Sequence, residues 1–209
     1  MPIQLLSSSK KSQGKSSQVM CSDPNSEPSK HITYFENLQQ VESKTLLLFD
    51  VSGSQQDFGS QNGFRGICTN SGGKTLIQLM KQCTHLNVEV APYGDLQVMP
   101  KYPSITKFNN KYYGYKQFTS GQTSTESLNY HLKEAYVNGY NRIIILGDGG
   151  FDVHGQRDSA EREVQKFLNN LKSCNLSKIQ DLVLLFSPHT NPSVEENLTS
   201  SVSNILNVC

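Results

Sequence analysis

No stretch of this sequence approaches the roughly 20 consecutive apolar residues that a membrane-spanning helix requires. The apolar part of the N-terminal MPIQLLSSSKKSQGKSS is far too short for a secretory signal peptide. Charge of one sign is lacking too: 19 Lys and Arg stand against 18 Asp and Glu, with no extended block of either. That balance excludes a nucleic-acid binder working through a broad basic face, and leaves room only for a local basic patch. Cysteine is sparse and scattered. Cys21, Cys68, Cys83, Cys174 and Cys209 are odd in number and form no close pair, so they suggest neither a zinc site nor a disulfide framework. Reduced thiols in an intracellular, most simply cytoplasmic, protein are the expectation. Two glycosylation sequons, starting at Asn175 and Asn197, would matter only in a secreted chain.

Apolar residues make up only 35% of the 209, so the core of what reads as one domain must be concentrated in a few segments. From Ser7 to about Pro28 the chain is mostly Ser, Lys, Gln, Asn and Pro, which cannot bury enough apolar area to offset its ordering entropy. Residues 1–43 are therefore expected to be a polar tail, with His31–Phe35 apolar enough to pack on the domain edge. Residues 44–209 are expected to be the domain.

Within it, Thr45–Val51 (TLLLFDV) is a continuous apolar run ending in an acidic residue, as in a central strand buried on both faces. A helix is expected over 74–84, with Leu76, Leu79, Met80 and Cys83 on one face, and a strand over Val88–Tyr93. The aromatic, Lys-rich segment Gly94–Phe118 reads as an edge strand and a long loop. A helix over Glu126–Val137, a strand over Asn141–Leu146, a helix over Ser159–Leu171 and a strand over Asp181–Phe186 follow. The last element is a helix over Ser193–Leu206, with Ser193 as its cap. Alternating apolar strands and helices imply an α/β fold: a doubly wound, mainly parallel central sheet flanked by helices on both faces. Ligands in such sheets bind beyond the carboxyl ends of the strands.

Three of those ends or nearby loops carry oxygen donors and no His or Cys. They are Asp50-Val51-Ser52-Gly53-Ser54, the Thr119–Ser124 stretch before the helix at Glu126, and Gly147-Asp148-Gly149-Gly150. Carboxylates and hydroxyls suit a hard cation. Mg²⁺ takes six oxygens at about 2.0–2.1 Å and usually keeps some of its waters. Alone, each piece reads as an ordinary turn whose hydroxyls satisfy the backbone. It is their co-occurrence and order that point to a metal.

An Asp-x-Ser-x-Ser after a first apolar strand, a later Gly-x-Thr opening a helix and an apolar strand ending in Asp-Gly resemble the von Willebrand factor A-type domain and its metal-ion-dependent adhesion site. The resemblance covers about 44–209 and implies a Rossmann-like fold with Mg²⁺, or Mn²⁺, as cofactor. It implies that Ser52 and Ser54 bind the metal directly and Thr123 directly or through water. Asp50 and Asp148 would act mainly through water or as outer acceptors. It also implies a binding module rather than an enzyme, with a protein partner captured through an acidic side chain. The chain departs from the family where Gly121-Gln122-Thr123 replaces the frequent Gly-Gly-Thr, where Gly147 replaces a frequent Thr, and where its end is short of one strand and helix.

The enzyme alternative is a phosphatase of haloacid dehalogenase type, with Asp50 as nucleophile and Gly147–Asp152 as its last motif. Ser52 stands where that family needs an aspartic acid, and a serine hydroxyl is too weak an acid for the role near neutral pH. Ser71-Gly72-Gly73-Lys74-Thr75 is not a phosphate-binding loop, because Cys68 occupies the position of its first Gly. His85, His131, His154 and His189 show no metal-ligand spacing and are expected at the surface or as caps. Tyr112, Tyr113 and Tyr115, beside Lys111 and Lys116, read as edge packing.

Overall fold

The apolar runs become strands because a segment apolar at every position needs cover on both faces, which the interior of a parallel sheet provides. The computed structural model describes residues 18–20, 44–52, 88–112, 123–153, 156, 158–174, 179, 181–186 and 191–208. Its strands are β1 (Gln18–Met20), β2 (Thr45–Asp50), β3 (Val88–Tyr93), β4 (Arg142–Gly147) and β5 (Asp181–Phe186). Its helices are α1 (Ile105–Tyr112), α2 (Glu126–Val137), α3 (Ser159–Ser173) and α4 (Pro192–Val208). All strand pairs are parallel, in the order β1-β5-β4-β2-β3. This is an α/β fold with β2 near the centre of its sheet. The helix expected over 74–84, Ser71–Thr75 and the Tyr113–Lys116 cluster lie outside the described residues.

One face of the sheet presents Leu46, Leu48, Ala91, Ile143, Ile145, Leu182 and Leu184 to Leu128 and Leu132 of α2, Phe167 and Leu171 of α3, and Val202 and Ile205 of α4. On the opposite face Leu47, Phe49, Ile144, Leu146, Val183 and Leu185 are buried as well. There α1 brings Phe108 against Phe49, with ring centroids 5.2 Å apart. Truncating any of these buried leucines to Ala should cost about 2–5 kcal/mol, since both transfer energy and a cavity are involved.

Three local expectations need correction. Among the described residues of Gly94–Phe118 there is no edge strand but the antiparallel bridges Val90–Tyr102 and Gly94–Ser124, and the loop contains α1. Ser104 starts that helix: its Oγ accepts the Lys107 amide at 3.2 Å, while Ile105 and Phe108, three residues apart, share its buried side. At α4 the cap is Asn191 rather than Ser193. Asn191 Oδ1 accepts the Ser193 amide at 3.0 Å, and Pro192 fills the first helical position, where a missing N–H costs nothing. His131 is buried rather than at the surface, with Nε2 2.9 Å from the Met99 carbonyl oxygen. Burial holds its pKa below the usual value.

The polar N-terminal segment is not wholly outside the sheet. Gln18, Val19 and Met20 pair with Val183, Leu184 and Leu185 on the far side of β5. A buried strand edge needs backbone partners, and even a short extended stretch supplies them.

Candidate metal centre

The carboxyl end of β2 is organised by Asp50. Its Oδ1 accepts the Ser52 amide at 2.8 Å, a local turn that fixes where Ser52 sits. Its Oδ2 is buried and has no hydrogen-bond partner of acceptable geometry. The residue has no solvent exposure at all. Burial and the nearby Asp148 charge push the Asp50 pKa from 3.8 up to about 8, and hydrogen bonding from Ser52 and the Asp148 amide offsets this only in part.

The other loops are sewn to this end by backbone bonds. Val51 donates to the Tyr93 carbonyl at 2.9 Å, so the chain leaving β3 stays beside the chain leaving β2. Gly94 then passes over Ser52 with φ +132°, and a Cβ there would stand 3.0 Å from the Ser52 nitrogen. Only glycine combines that conformation with that approach. The Gly94 carbonyl accepts the Ser124 amide at 3.2 Å, which brings in the segment carrying Thr123. Thr123 and Asp152 exchange backbone bonds of 2.6 and 3.1 Å, joining that segment to the loop that leaves β4 through Asp148.

Asp50 at the end of β2 and Ser52, Thr123 and Asp148 on loops thus lie at one end of the sheet, in one continuous hydrogen-bonded arrangement. Ser52 and Thr123 are buried and Asp148 is partly exposed. Asp148 Oδ1 accepts the Gly150 amide at 2.9 Å, which shapes its own turn. Ser54 lies outside the described residues. Among the described residues no group of three His, Cys, Asp or Glu side chains is arranged to hold a metal.

Two residues that matter to this arrangement were not singled out from the sequence. Glu163 on α3 is buried and accepts both the amide and the hydroxyl of Thr125, at 2.8 and 2.6 Å, with Lys166 as its ion-pair partner. Burial opposes its charge, yet Lys166 and Thr125 together hold the carboxyl below its usual pKa. It anchors the Thr123–Thr125 segment from below. The signal was a Glu on the apolar side of an amphipathic helix. Tyr93 is the other: 1% exposed, it donates its hydroxyl to the Leu146 carbonyl at 3.0 Å, immediately beside Asp50.

No family model matches this chain, and no curated protein is significantly similar to it.

Proposed function

We propose that this chain is a metal-dependent protein-binding module of von Willebrand factor A type, doubly wound with helices on both faces of its sheet. Asp50, Ser52, Ser54, Thr123 and Asp148 would hold Mg²⁺, or Mn²⁺, and the bound ion would supply a hard Lewis-acidic position for an acidic side chain of a partner. The observation that carries this reading is Asp50 Oδ2, an acceptor atom sealed from water and without a well-aligned hydrogen bond, in a carboxyl group beside a second carboxylate. A buried acceptor of this kind is costly unless a proton or a cation satisfies it. Hydroxyl-bearing Ser52 and Thr123, at the same end of the sheet, are donor types that suit a hard cation.

The full burial of Asp50 also favours binding over phosphatase chemistry, since a nucleophile must be reachable by the phosphorus it attacks. No described helix is long and apolar enough to cross a membrane.

The test is calorimetric titration of the purified chain with MgCl₂ and MnCl₂, alongside Asp50→Ala and Thr123→Ala. A saturable 1:1 isotherm in the wild type that Asp50→Ala abolishes and Thr123→Ala weakens supports the reading. Equal isotherms in all three proteins would place any bound ion elsewhere, and no isotherm in the wild type would sink the metal reading. A partner captured by the module should be released by chelator.

A further inference from the structure

Tyr93 makes a contact that its position would not suggest. It ends β3, and its hydroxyl bonds to a carbonyl at the end of β4, although β2 lies between the two strands. The side chain therefore bridges across the end of β2, two strand spacings or about 10 Å in all. Its cross-strand partner on β2 is Asp50 itself. The ring is clamped by Phe151, with centroids 6.4 Å apart, and Phe151 packs in turn on Phe167 of α3 at 5.6 Å.

Gly147 is the complement of this strap. A Cβ at position 147 would sit 2.1 Å from the Tyr93 hydroxyl oxygen, 3.1 Å from Asp50 Oδ2 and 3.2 Å from the Asp50 Cβ. No side chain fits there while the phenol is in place. Tyr93 and Gly147 form a size-matched pair in which the hydroxyl fills the volume a residue at 147 would otherwise occupy. The tie fixes the ends of β3 and β4 relative to each other on either side of Asp50, and Asp148 follows directly on β4.

We propose that Tyr93 is the positioning residue of this site, and that its strap with Gly147 makes the site selective for a small cation of strict geometry, Mg²⁺ or Mn²⁺, over Ca²⁺. This rests on the metal-binding reading above. Mg²⁺ needs near-octahedral oxygens at short distances, whereas Ca²⁺ accepts more oxygens over a wider and more flexible range. A site whose supporting strands are tied at their ends favours the first. A site whose strands are free to spread gives up that preference. Groups behind a metal's direct ligands commonly change affinity by about 10–100-fold.

The decisive experiment measures dissociation constants for Mg²⁺, Mn²⁺ and Ca²⁺ by calorimetry in wild type, Tyr93→Phe, Gly147→Ala and the double variant. Tyr93→Phe keeps the ring and its packing but cuts the tie. It should weaken Mg²⁺ binding about tenfold and leave Ca²⁺ binding unchanged or stronger, so that the Mg²⁺/Ca²⁺ ratio falls by about the same factor. Gly147→Ala, which pushes the hydroxyl off Leu146, should lower the ratio similarly and also lower the melting temperature. Combined with Tyr93→Phe it should lower the ratio no further and regain part of the lost melting temperature, because the new methyl then occupies the space the hydroxyl vacated. If Tyr93→Phe binds metal with the wild-type ratio, Tyr93 does not set selectivity, although the metal site stands. A wild type that binds none of the three ions removes the site and this role together. Should Gly147→Ala fail to fold, Tyr93→Phe alone still decides.

Discussion

The two ends of this sheet handle charge in opposite ways. At the amino end the charged groups are paired with one another. Lys101 and Lys44 both approach the Glu89 carboxylate, at 2.9 and 3.6 Å, and the Tyr140 hydroxyl bridges Lys101 and Glu89 through two bonds of 2.6 Å. Both ammonium groups also lie over the Tyr140 ring, 4.3 and 5.0 Å from its centroid. Arg142, at the start of β4, holds Asp181 at the start of β5 through Nε and Nη2, at 2.9 and 2.7 Å. At the carboxyl end Asp50 lies beside another carboxylate with one oxygen unsatisfied. The charged groups at the start of these strands are thus paired with one another, whereas at their end a buried carboxyl oxygen is left without a hydrogen bond. Polar structure that serves only the fold tends to be satisfied internally, and an unsatisfied buried group calls for an explanation.

The largest expected effect falls at the closed end. Arg142→Ala removes the guanidinium paired with the partly buried Asp181 carboxylate and should cost about 3 kcal/mol in chemical denaturation. That loss should be the same in Mg²⁺ and in chelator. A loss that depends on metal would mean the two ends are coupled and the contrast is false.

The open end should behave in reverse. Wild type should gain about 2.7 kcal/mol when free Mg²⁺ reaches 100 times its dissociation constant, seen as a higher melting temperature than in chelator. Asp50→Ala should lose that gain yet be no less stable than wild type in chelator, because it removes a carboxyl group whose ionisation the folded state disfavours. If the variant is equally destabilised with and without metal, Asp50 serves only its turn.

The third effect is graded with pH. The folded pKa of Asp50 is raised from 3.8 to about 8, so between those values the folded chain holds a proton that the unfolded chain has lost. Metal-free stability should therefore fall as pH rises through that window and level off above it. Denaturation in chelator at several pH values should show this decline in wild type and its reduction in Asp50→Asn. Mg²⁺ must displace the same proton, so its affinity should climb over the same window. A metal-free profile identical in wild type and Asp50→Asn would show that Asp50 is ionised normally.

The smallest expected change is Tyr140→Phe, which removes the bridging hydroxyl and leaves the ring under both lysines. Burial, then Glu89, pushes the Tyr140 pKa up to about 12, so the group being deleted is a neutral phenol at ordinary pH. A cost near 1 kcal/mol, insensitive to Mg²⁺, is expected by thermal melting. A much larger loss would mean that the amino-end network is less redundant than its two lysines imply.

Most of the framework was legible in the sequence because its signals are local. TLLLFD, VEVAPY, RIIILG and DLVLLF are apolar enough that only strands buried on both sides suit them, and their observed limits fall within a residue or so of those expected. α1 was hidden because Ile105 and Phe108 are its main apolar contacts in a stretch otherwise rich in Lys, Asn and Tyr. β1 was hidden because its three residues gain their structure from β5, far away in the chain. That Asp50, Ser52, Thr123 and Asp148 lie at one end of the sheet could be foreseen because chain order and strand ends are visible in one dimension. Tyr93 could not, since its role exists only once β3, β2 and β4 lie side by side, and Glu163 could not, since its partner Thr125 is on another element.

The placement of β1 also sets a timetable. Gln18 pairs with Val183, so β1, translated before the other described strands, finds its partner only after all of them have been made. Until β5 leaves the ribosome, the N-terminal segment has no sheet to join, while β2 and β3 can already pair. Contacts between residues so distant in sequence are slow to form, because a long loop must close before they yield any stabilisation. The expected sequence of events is a nucleus of β2, β3 and β4, then the docking of β5, and the addition of β1 as the final step of assembly. The polar character of the residues around β1 suits that wait, since a segment held so long without a partner must stay harmless in water.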